Sequence, residues 1–374
     1  MPLVSIITPC YEHGHFLADA VDSVLAQTHR DFELIIINDG STDETGPIAR
    51  RYVERHPERI IYLDQANQGQ SKARQDGLER ATGKWLVLLD ADDLLEPTML
   101  ERCLEAARRR PEPDAIVANA ALVGPDGMTV LRPFPQDRLL GWPAILDHNP
   151  YGALAAVMVR RAAVREVGGL AVEGTGLCED WDLWVRMTRC GMRFVSIGDS
   201  LSRYRQTPQS HSRKVILMLE SYLQLLERCR VEDPRLPRFG WRVVSPIGER
   251  EVRRFRNMRV FHCLGLAMAC GPSATDVSEL LDRLLPGWLQ PRRCWDQALG
   301  GLHFGLQSHG GLAVTLNSPL TEIMRKFEEG LEAKGFGRHR KRLAREFRNA
   351  LNDPFRPRSL PTRVRQRLGE WRGS

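Results

Sequence analysis

Three carboxylates within four residues, Asp90, Asp92 and Asp93 of Asp90-Ala91-Asp92-Asp93, follow directly on the apolar stretch Trp85 to Leu89. Gathered at the end of a buried strand, such a set repels itself unless a cation neutralises it, and oxygen ligands favour Mg²⁺ or Mn²⁺. The plainer alternative makes Asp92 or Asp93 the cap of a helix beginning near Pro97. A second polar cluster, Asn38-Asp39-Gly40-Ser41-Thr42-Asp43, closes the run Phe32 to Ile37. Asp39 can accept hydrogen bonds from a base or ribose there, Gly40 permits a sharp turn beneath it, and Asp43 suits the cap of the next helix. A third cluster, Asn67-Gln68-Gly69 leading to Lys72 and Arg74, offers a cation and a helix N-terminus to a diphosphate. Thr8-Pro9-Cys10-Tyr11-Glu12 closes the first apolar run. Far downstream, Glu179-Asp180-Trp181-Asp182-Leu183-Trp184 opens a helical stretch. A carboxylate such as Asp180 at a helix start can act as a general base toward a hydroxyl, or simply cap the helix.

The elements that must hold these residues can be read from periodicity. Short β-branched runs, Leu3 to Ile7, Phe32 to Ile37, Ile60 to Leu63, Trp85 to Leu89 and Ala115 to Ala118, alternate with helix-period segments. That alternation predicts an α/β fold with a mostly parallel sheet covered by helices. In such a sheet ligands lie at the carboxyl ends of the strands, where four of the polar clusters fall. Phe16, Leu17, Ala20, Val21, Val24 and Leu25 form one core stripe, and Met99, Leu100, Cys103, Leu104 and Ala107 another. Gly124-Pro125-Asp126-Gly127 between two apolar runs predicts a hairpin, and Pro133 to Asn149 reads as a loop suited to an acceptor. A strand over Leu154 to Val159, a short helix ending near Gly168-Gly169 and a helix from about Asp180 to Cys190 complete a domain near residue 213. Beyond it helical patterns dominate: Val215 to Cys229, Val252 to Cys270, Asp276 to Leu285 and Leu320 to Glu332.

Taken together, the clusters resemble the family 2 glycosyltransferases, whose nucleotide half has the GT-A fold. The resemblance runs from about Val4 to Ser212, and its motifs recur in order at the right strand ends. It implies that Thr8, Pro9, Tyr11, Glu12 and Asp39 hold the donor nucleoside, with Asn67, Gly69, Arg74 and Asp90 completing the donor site. The family's Asp-x-Asp element matches Asp90 and Asp92, implying metal ligands for Mg²⁺ or Mn²⁺, with Asp93 behind them. The Glu-Asp pair matches Glu179 and Asp180, implying Asp180 as the catalytic base. Glu179, Trp181 and Trp184 are acceptor-side candidates, although the two indoles could equally be core. Where the family carries Tyr-Arg-x-His-x-x-Ser, this chain reads Tyr204-Arg205-Gln206-Thr207-Pro208-Gln209-Ser210-His211-Ser212, so the histidine has moved and a role for His211 does not carry over.

The expected organisation is therefore a catalytic domain over 1–213, divided into a nucleotide-binding half (1–105) and an acceptor-binding half (106–213). A helical appendage (214–333) and a basic tail (334–374) follow. The tail holds 13 Lys and Arg against three acids, +10 out of a total of +6, which leaves the rest of the chain at −4. Such a tail suits an anionic surface, so peripheral contact with the inner face of a membrane is expected, or else a solvated tail. Nucleic acid is a poor match for it, since aromatic interleaving is sparse. The strand starting at Leu3 leaves no space for a leader, no 18-residue apolar run exists, and the eight cysteines show no metal spacing and read as reduced. A cytoplasmic, metal-dependent, inverting hexosyltransferase follows as the expectation. Its donor would be UDP-, GDP- or TDP-linked, and its acceptor a carbohydrate or lipid-linked glycan of cell-surface polysaccharide or glycolipid synthesis. The rival is a non-catalytic module of the same fold that docks on a membrane or polyanion through the tail. A dinucleotide oxidoreductase or a sugar-nucleotide pyrophosphorylase would need a glycine-rich loop after the first strand, and Pro9-Cys10-Tyr11-Glu12 is not one.

Overall fold

The computed structural model describes residues 3–109, 112–134, 136, 139–170, 177–207, 214–237, 244–269, 279–283, 325, 329, 332 and 333. His211, Cys270, Cys294, most of the helical readings over 276–285 and 320–332, and the basic tail lie outside them.

A nine-stranded sheet organises the first unit. Strands β1 (Val4–Cys10), β2 (Phe32–Asp39), β3 (Ile60–Gln65) and β4 (Trp85–Leu88) pair in parallel in the order β3-β2-β1-β4. Residues on both faces of β1 and β2 are buried, as the continuous apolar runs require of central strands. Helices α1 (Gly14–Leu25), α2 (Thr45–Arg55) and α3 (Gln70–Arg80) make the crossovers. Then come β5 (Leu94–Leu95), α4 (Met99–Arg109), β6 (Ala115–Val123) and β7 (Val130–Phe134). The unit continues through β8 (Val157–Arg160), α5 (Arg161–Glu166), α6 (Glu179–Arg189) and β9 (Phe194–Arg205). Beyond β4 the sheet is mixed: β8 runs antiparallel to β4 and β6, β7 antiparallel to β6, and β9 parallel to β6 but antiparallel to β5.

The core stripes of α1 and α4 are buried as their spacing requires: Leu17, Ala20, Val21 and Val24 on one, Met99, Leu100, Cys103 and Leu104 on the other. The expected hairpin is β6-β7, its turn fixed by Asp126, whose carboxylate accepts from Met128 N–H, Thr129 N–H and the Thr129 hydroxyl. The strand expected from Leu154 begins instead as a 3₁₀ turn (Leu154–Ala156) before β8, and the 133–149 loop contains another (Ala144–Asp147). Strand β9, twelve residues long, has no counterpart among the apolar runs read from the sequence, because Gly198, Asp199 and its serines dilute the apolar signal.

By compactness the chain divides into two units, one of 1–208 with 231–246 and the other of 209–230 with 247–374. In the second, α7 (Val215–Arg228) and α8 (Glu249–Ala269) pack together, with Leu219, Tyr222 and Leu226 of the one and Phe255 and Phe261 of the other buried. Among the described residues no helix is long and apolar enough to cross a membrane, and the six described cysteines are buried and form no disulfide with one another.

Candidate active site

At the carboxyl ends of β1 to β4 the polar clusters meet. Asp39, only 2% exposed, ends β2 and accepts three hydrogen bonds: Gln65 Nε2 at 2.9 Å, Gln68 N–H at 3.0 Å and Gly69 N–H at 2.8 Å. A single carboxylate thereby pins the loop leading into α3. Gly40 has φ +79°, and a Cβ there would lie 2.7 Å from the Asn67 nitrogen, so only glycine lets the two loops approach this closely. Glycine acts again within α3: a Cβ on Gly77 would sit 2.5 Å from Ile7 Cγ2 and 3.0 Å from Ile37 Cδ1. Its absence lets the helix lie against β1 and β2 and carry Gln70 and Arg74 to the strand ends.

Thr8 sits in β1 beside Ile36 and is buried, with its hydroxyl lacking a hydrogen-bond partner within the protein. Pro9 pairs with Ile37. Tyr11 is 52% exposed, and Glu12 takes φ +55° while accepting from Thr42 N–H at 2.6 Å and the Thr42 hydroxyl at 3.1 Å. Asn67 is exposed on the loop above Gly40. Asp43 does more than serve α2. Its oxygens accept from Thr45 N–H at 3.0 Å and Gly14 N–H at 2.8 Å, joining the starts of α1 and α2. The Lys72 ammonium pairs with Asp76 on the same helix.

Arg74 is the hub. Only 2% exposed, it forms ion pairs with Asp90, just past β4, and with Glu179, first residue of α6. Gln70 Nε2 donates to the same Asp90 oxygen at 3.0 Å, so both described donors sit on Oδ1. Burial opposes the Arg74 charge, but Asp90, Glu179 and Asp180 outweigh it and hold the guanidinium firmly protonated. One cation is thus surrounded by three carboxylates. Burial pushes Glu179 up to about 7 despite Arg74, and burial also raises Asp180, whose Oδ2 accepts from Asn149 Nδ2 at 2.6 Å. The sequence reading did not single out Gln70 or Asn149; an amide in a loop carries no periodic signal.

Burial, then the neighbouring Asp90, raises Asp92 to about 6, while Asp93 is raised well above the carboxylate range by burial and by both neighbours. Arg205 secures this loop. Its N–H donates to Asp93 Oδ1 at 2.9 Å, and its side chain reaches Asp92 O at 2.8 Å, Pro125 O at 2.9 Å and Asp19 Oδ2 at 3.0 Å, over the Phe16 ring. No salt bridge reaches the Asp92 carboxylate among the described residues. Asp92, without such an ion pair, beside Asp90 would offer hard oxygen donors to Mg²⁺ or Mn²⁺, yet among the described residues no three His, Cys, Asp or Glu are grouped to hold a metal unaided. Asp90 and Asp92 are the carboxylates that would hold such a cation together with a bound ligand.

Trp181 and Trp184 lie in the core, not on an acceptor surface. The Trp181 indole N–H donates to Ile145 O at 2.9 Å, and Trp184, fully buried, meets Tyr151 and Phe194 edge-on. Every residue of α6 except Asp180 is buried, so both indoles fall in the core. Glu179 likewise faces Arg74 from within.

The family model described as glycosyl transferase family 2 matches residues 5–168. A Bacillus subtilis (strain 168) glycosyltransferase named for teichuronic acid biosynthesis, TuaG, is 31% identical over 213 residues, covering 56% of this chain and 82% of that protein. Among solved structures, residues 1–349 of S. aureus TarS in complex with UDP align with a TM-score of 0.51 at 15% identity, over 91% of this chain and 92% of that one. The mannosyltransferase PcManGT of Pyrobaculum calidifontis, in complex with GDP-Man and Mn²⁺, aligns with a TM-score of 0.50 at 16% identity, over 87% of each chain. At such identities the two structures establish the shared fold alone.

Proposed function

As the chain belongs to glycosyl transferase family 2, we propose that it moves a sugar from a nucleoside diphosphate sugar to an acceptor hydroxyl with inversion, Asp180 acting as general base. The observation that carries this reading is the Arg74 bridge, which joins Asp90 of the acidic loop to Glu179, the neighbour of Asp180. Donor-side and acceptor-side carboxylates therefore share one cluster.

The nucleoside would lie on Thr8, Pro9, Tyr11, Glu12 and Asp39, with the Asn67-Gly69 loop closing over it. The unpaired Thr8 hydroxyl supplies a buried polar group for such a ligand. The acceptor oxygen gives its proton to Asp180 as it bonds to the anomeric carbon, and the bond from that carbon to the diphosphate breaks on the opposite face. One displacement of this kind inverts configuration. Arg74 offsets charge on the departing diphosphate, the electrostatic contribution that is usually the largest. Mg²⁺ or Mn²⁺ held by Asp92 with Asp90 would add Lewis-acid stabilisation of the same oxygens. PcManGT, of the same fold, was solved with GDP-Man and Mn²⁺, and TarS with UDP, which favours a nucleotide-linked donor.

The catalytic domain of this reading is residues 1–213, whereas the compact first unit ends at 208 and takes in 231–246. The similarity to TuaG supports an acceptor in cell-surface polysaccharide synthesis. A cytoplasmic enzyme held at the membrane face by its tail completes the proposal, and it requires the full chain to sediment with anionic but not neutral vesicles in low salt.

Purified protein supplied in turn with UDP-, GDP- and TDP-sugars should release nucleoside diphosphate from one of them in Mn²⁺ or Mg²⁺ and not in EDTA, leaving the inverted anomer by NMR. Release from none would turn the reading toward a binding module, and a retained anomer would remove the single displacement.

A further inference from the structure

We infer that Asn149 is the positioning residue of the Asp180 carboxylate, holding one oxygen so that the carboxylate is presented, ionised, to the acceptor. The inference rests on the reading of Asp180 as the base. Asn149 Nδ2 donates to Asp180 Oδ2 at 2.6 Å, while Asn149 Oδ1 accepts from Tyr151 N–H at 3.2 Å. The second contact decides the orientation of the first. An amide whose oxygen is held by a main-chain N–H must turn its NH₂ toward the carboxylate.

The segment carrying Asn149 is itself anchored. Tyr151 is fully buried, stacks on Phe194 with ring centroids 5.2 Å apart, and takes Leu140 N–H on its hydroxyl at 3.3 Å. Four residues before Asn149, the carbonyl of Ile145 accepts the Trp181 indole N–H, tying the same segment to the first turn of α6. Asn149 is therefore fixed to the sheet on one side and to the helix that carries Asp180 on the other. A side chain needed only to fill space would not be oriented by two hydrogen bonds from an anchored turn.

Three charged groups bear on Asp180: Arg74 from α3, Asp90 beyond β4 and Glu179 beside it on α6. Arg74 favours the anion, whereas Asp90 and Glu179 oppose it. Arg74 is committed to Asp90 and Glu179 by ion pairs, so the described hydrogen bond from a side chain to Asp180 is that of Asn149. A donor to a carboxylate favours the charged form. Asn149 thus engages Oδ2, and the main-chain N–H of Trp181 also favours the anion.

The test is the pH dependence of donor turnover by the full chain, wild type against Asn149→Ala and the near-isosteric Asn149→Asp. Asn149→Ala should lower kcat by about tenfold or more while KM for the donor stays within about twofold. The acid limb of kcat should move to higher pH, because a base that has lost a donor protonates more readily. Asn149→Asp, which sets a second carboxylate against Asp180, should move the limb further. A lowered kcat with an unmoved acid limb in both variants would overturn the inference, and so would an unchanged kcat. Thermal shift on adding UDP or GDP with Mn²⁺ identifies a variant that has failed to fold, and Asn149→Asp, which keeps the shape, then carries the test. Near-normal turnover in Asp180→Asn would instead dismiss the base itself, an outcome separate from failure of the Asn149 variants.

Discussion

Asp182 on α6 and Arg235, in the segment that rejoins the first unit, meet through two hydrogen bonds of 3.0 and 3.1 Å. Arg186 donates to the same carboxylate at 2.7 Å and to the carbonyls of Val167 and Gly169, while Asp233 holds Arg235 at 2.7 Å. The network fastens the helix bearing Glu179 and Asp180 to both flanking loops. Asp182 would keep Arg186, but removing Arg235 leaves Asp233, only 5% exposed, without the guanidinium that holds it. Arg235→Ala should destabilise the protein by roughly 2 to 4 kcal/mol in urea unfolding. Arg102→Ala, at an exposed pair with Asp199, should change stability by less than about 1 kcal/mol. Equal effects would show that the buried network contributes no more than a surface pair.

Gly77→Ala tests the approach of α3 to the sheet. With Ile7 Cγ2 only 2.5 Å from the added methyl and little room to yield, the helix must shift, at about 1 to 3 kcal/mol. The shift also displaces Gln70 and Arg74, so nucleotide affinity should fall with stability. A gain in stability, as expected for Gly→Ala in an open helix, would show that the close approach does not constrain α3.

Glu179 predicts a pH dependence. Its folded value, about 7, lies above its unfolded one, so the stability this group contributes is complete below the unfolded value near 4.5. It is lost as pH rises toward 7. Glu179→Gln keeps the neutral form at every pH, so its stability relative to wild type should rise between about pH 4.5 and 7, by roughly 1 to 3 kcal/mol. A flat difference across that window would mean that Glu179 is ionised throughout, fully compensated by Arg74.

Asp180→Asn should lower turnover by about 10²- to 10⁴-fold with donor affinity kept, read from single-turnover kinetics beside nucleotide binding. Loss of both together would make Asp180 a donor-site residue.

Periodicity and strand-end chemistry made the parallel half of the sheet legible, since a buried parallel strand is a continuous apolar run and its carboxyl end must be polar. Asp39, Asp90 and Arg74 were found that way, and all three prove to be hydrogen-bonded, Asp39 and Arg74 fully buried and Asp90 partly so. Strand β9 was not found, because a strand interrupted by Gly198 and Asp199 lacks both a run and clean alternation. Trp181 and Trp184 left acceptor and core open until packing decided, as an indole's apolar body suits either setting. Asn149 acts through Asp180, 31 positions away, and Arg205 through Asp93, 112 positions away. Linear spacing cannot express such pairings.

The most direct test of a metal-dependent nucleotide site is the melting temperature of the full chain with UDP, GDP or TDP, each with Mn²⁺ or with EDTA, for wild type and Asp92→Ala. Ligand at about 100 times its dissociation constant adds about 2.7 kcal/mol, enough to raise the melting temperature by several degrees. A metal-dependent site should give a rise with one diphosphate in Mn²⁺ that disappears in EDTA and in Asp92→Ala. A rise of the same size in EDTA, or one untouched by Asp92→Ala, would contradict it.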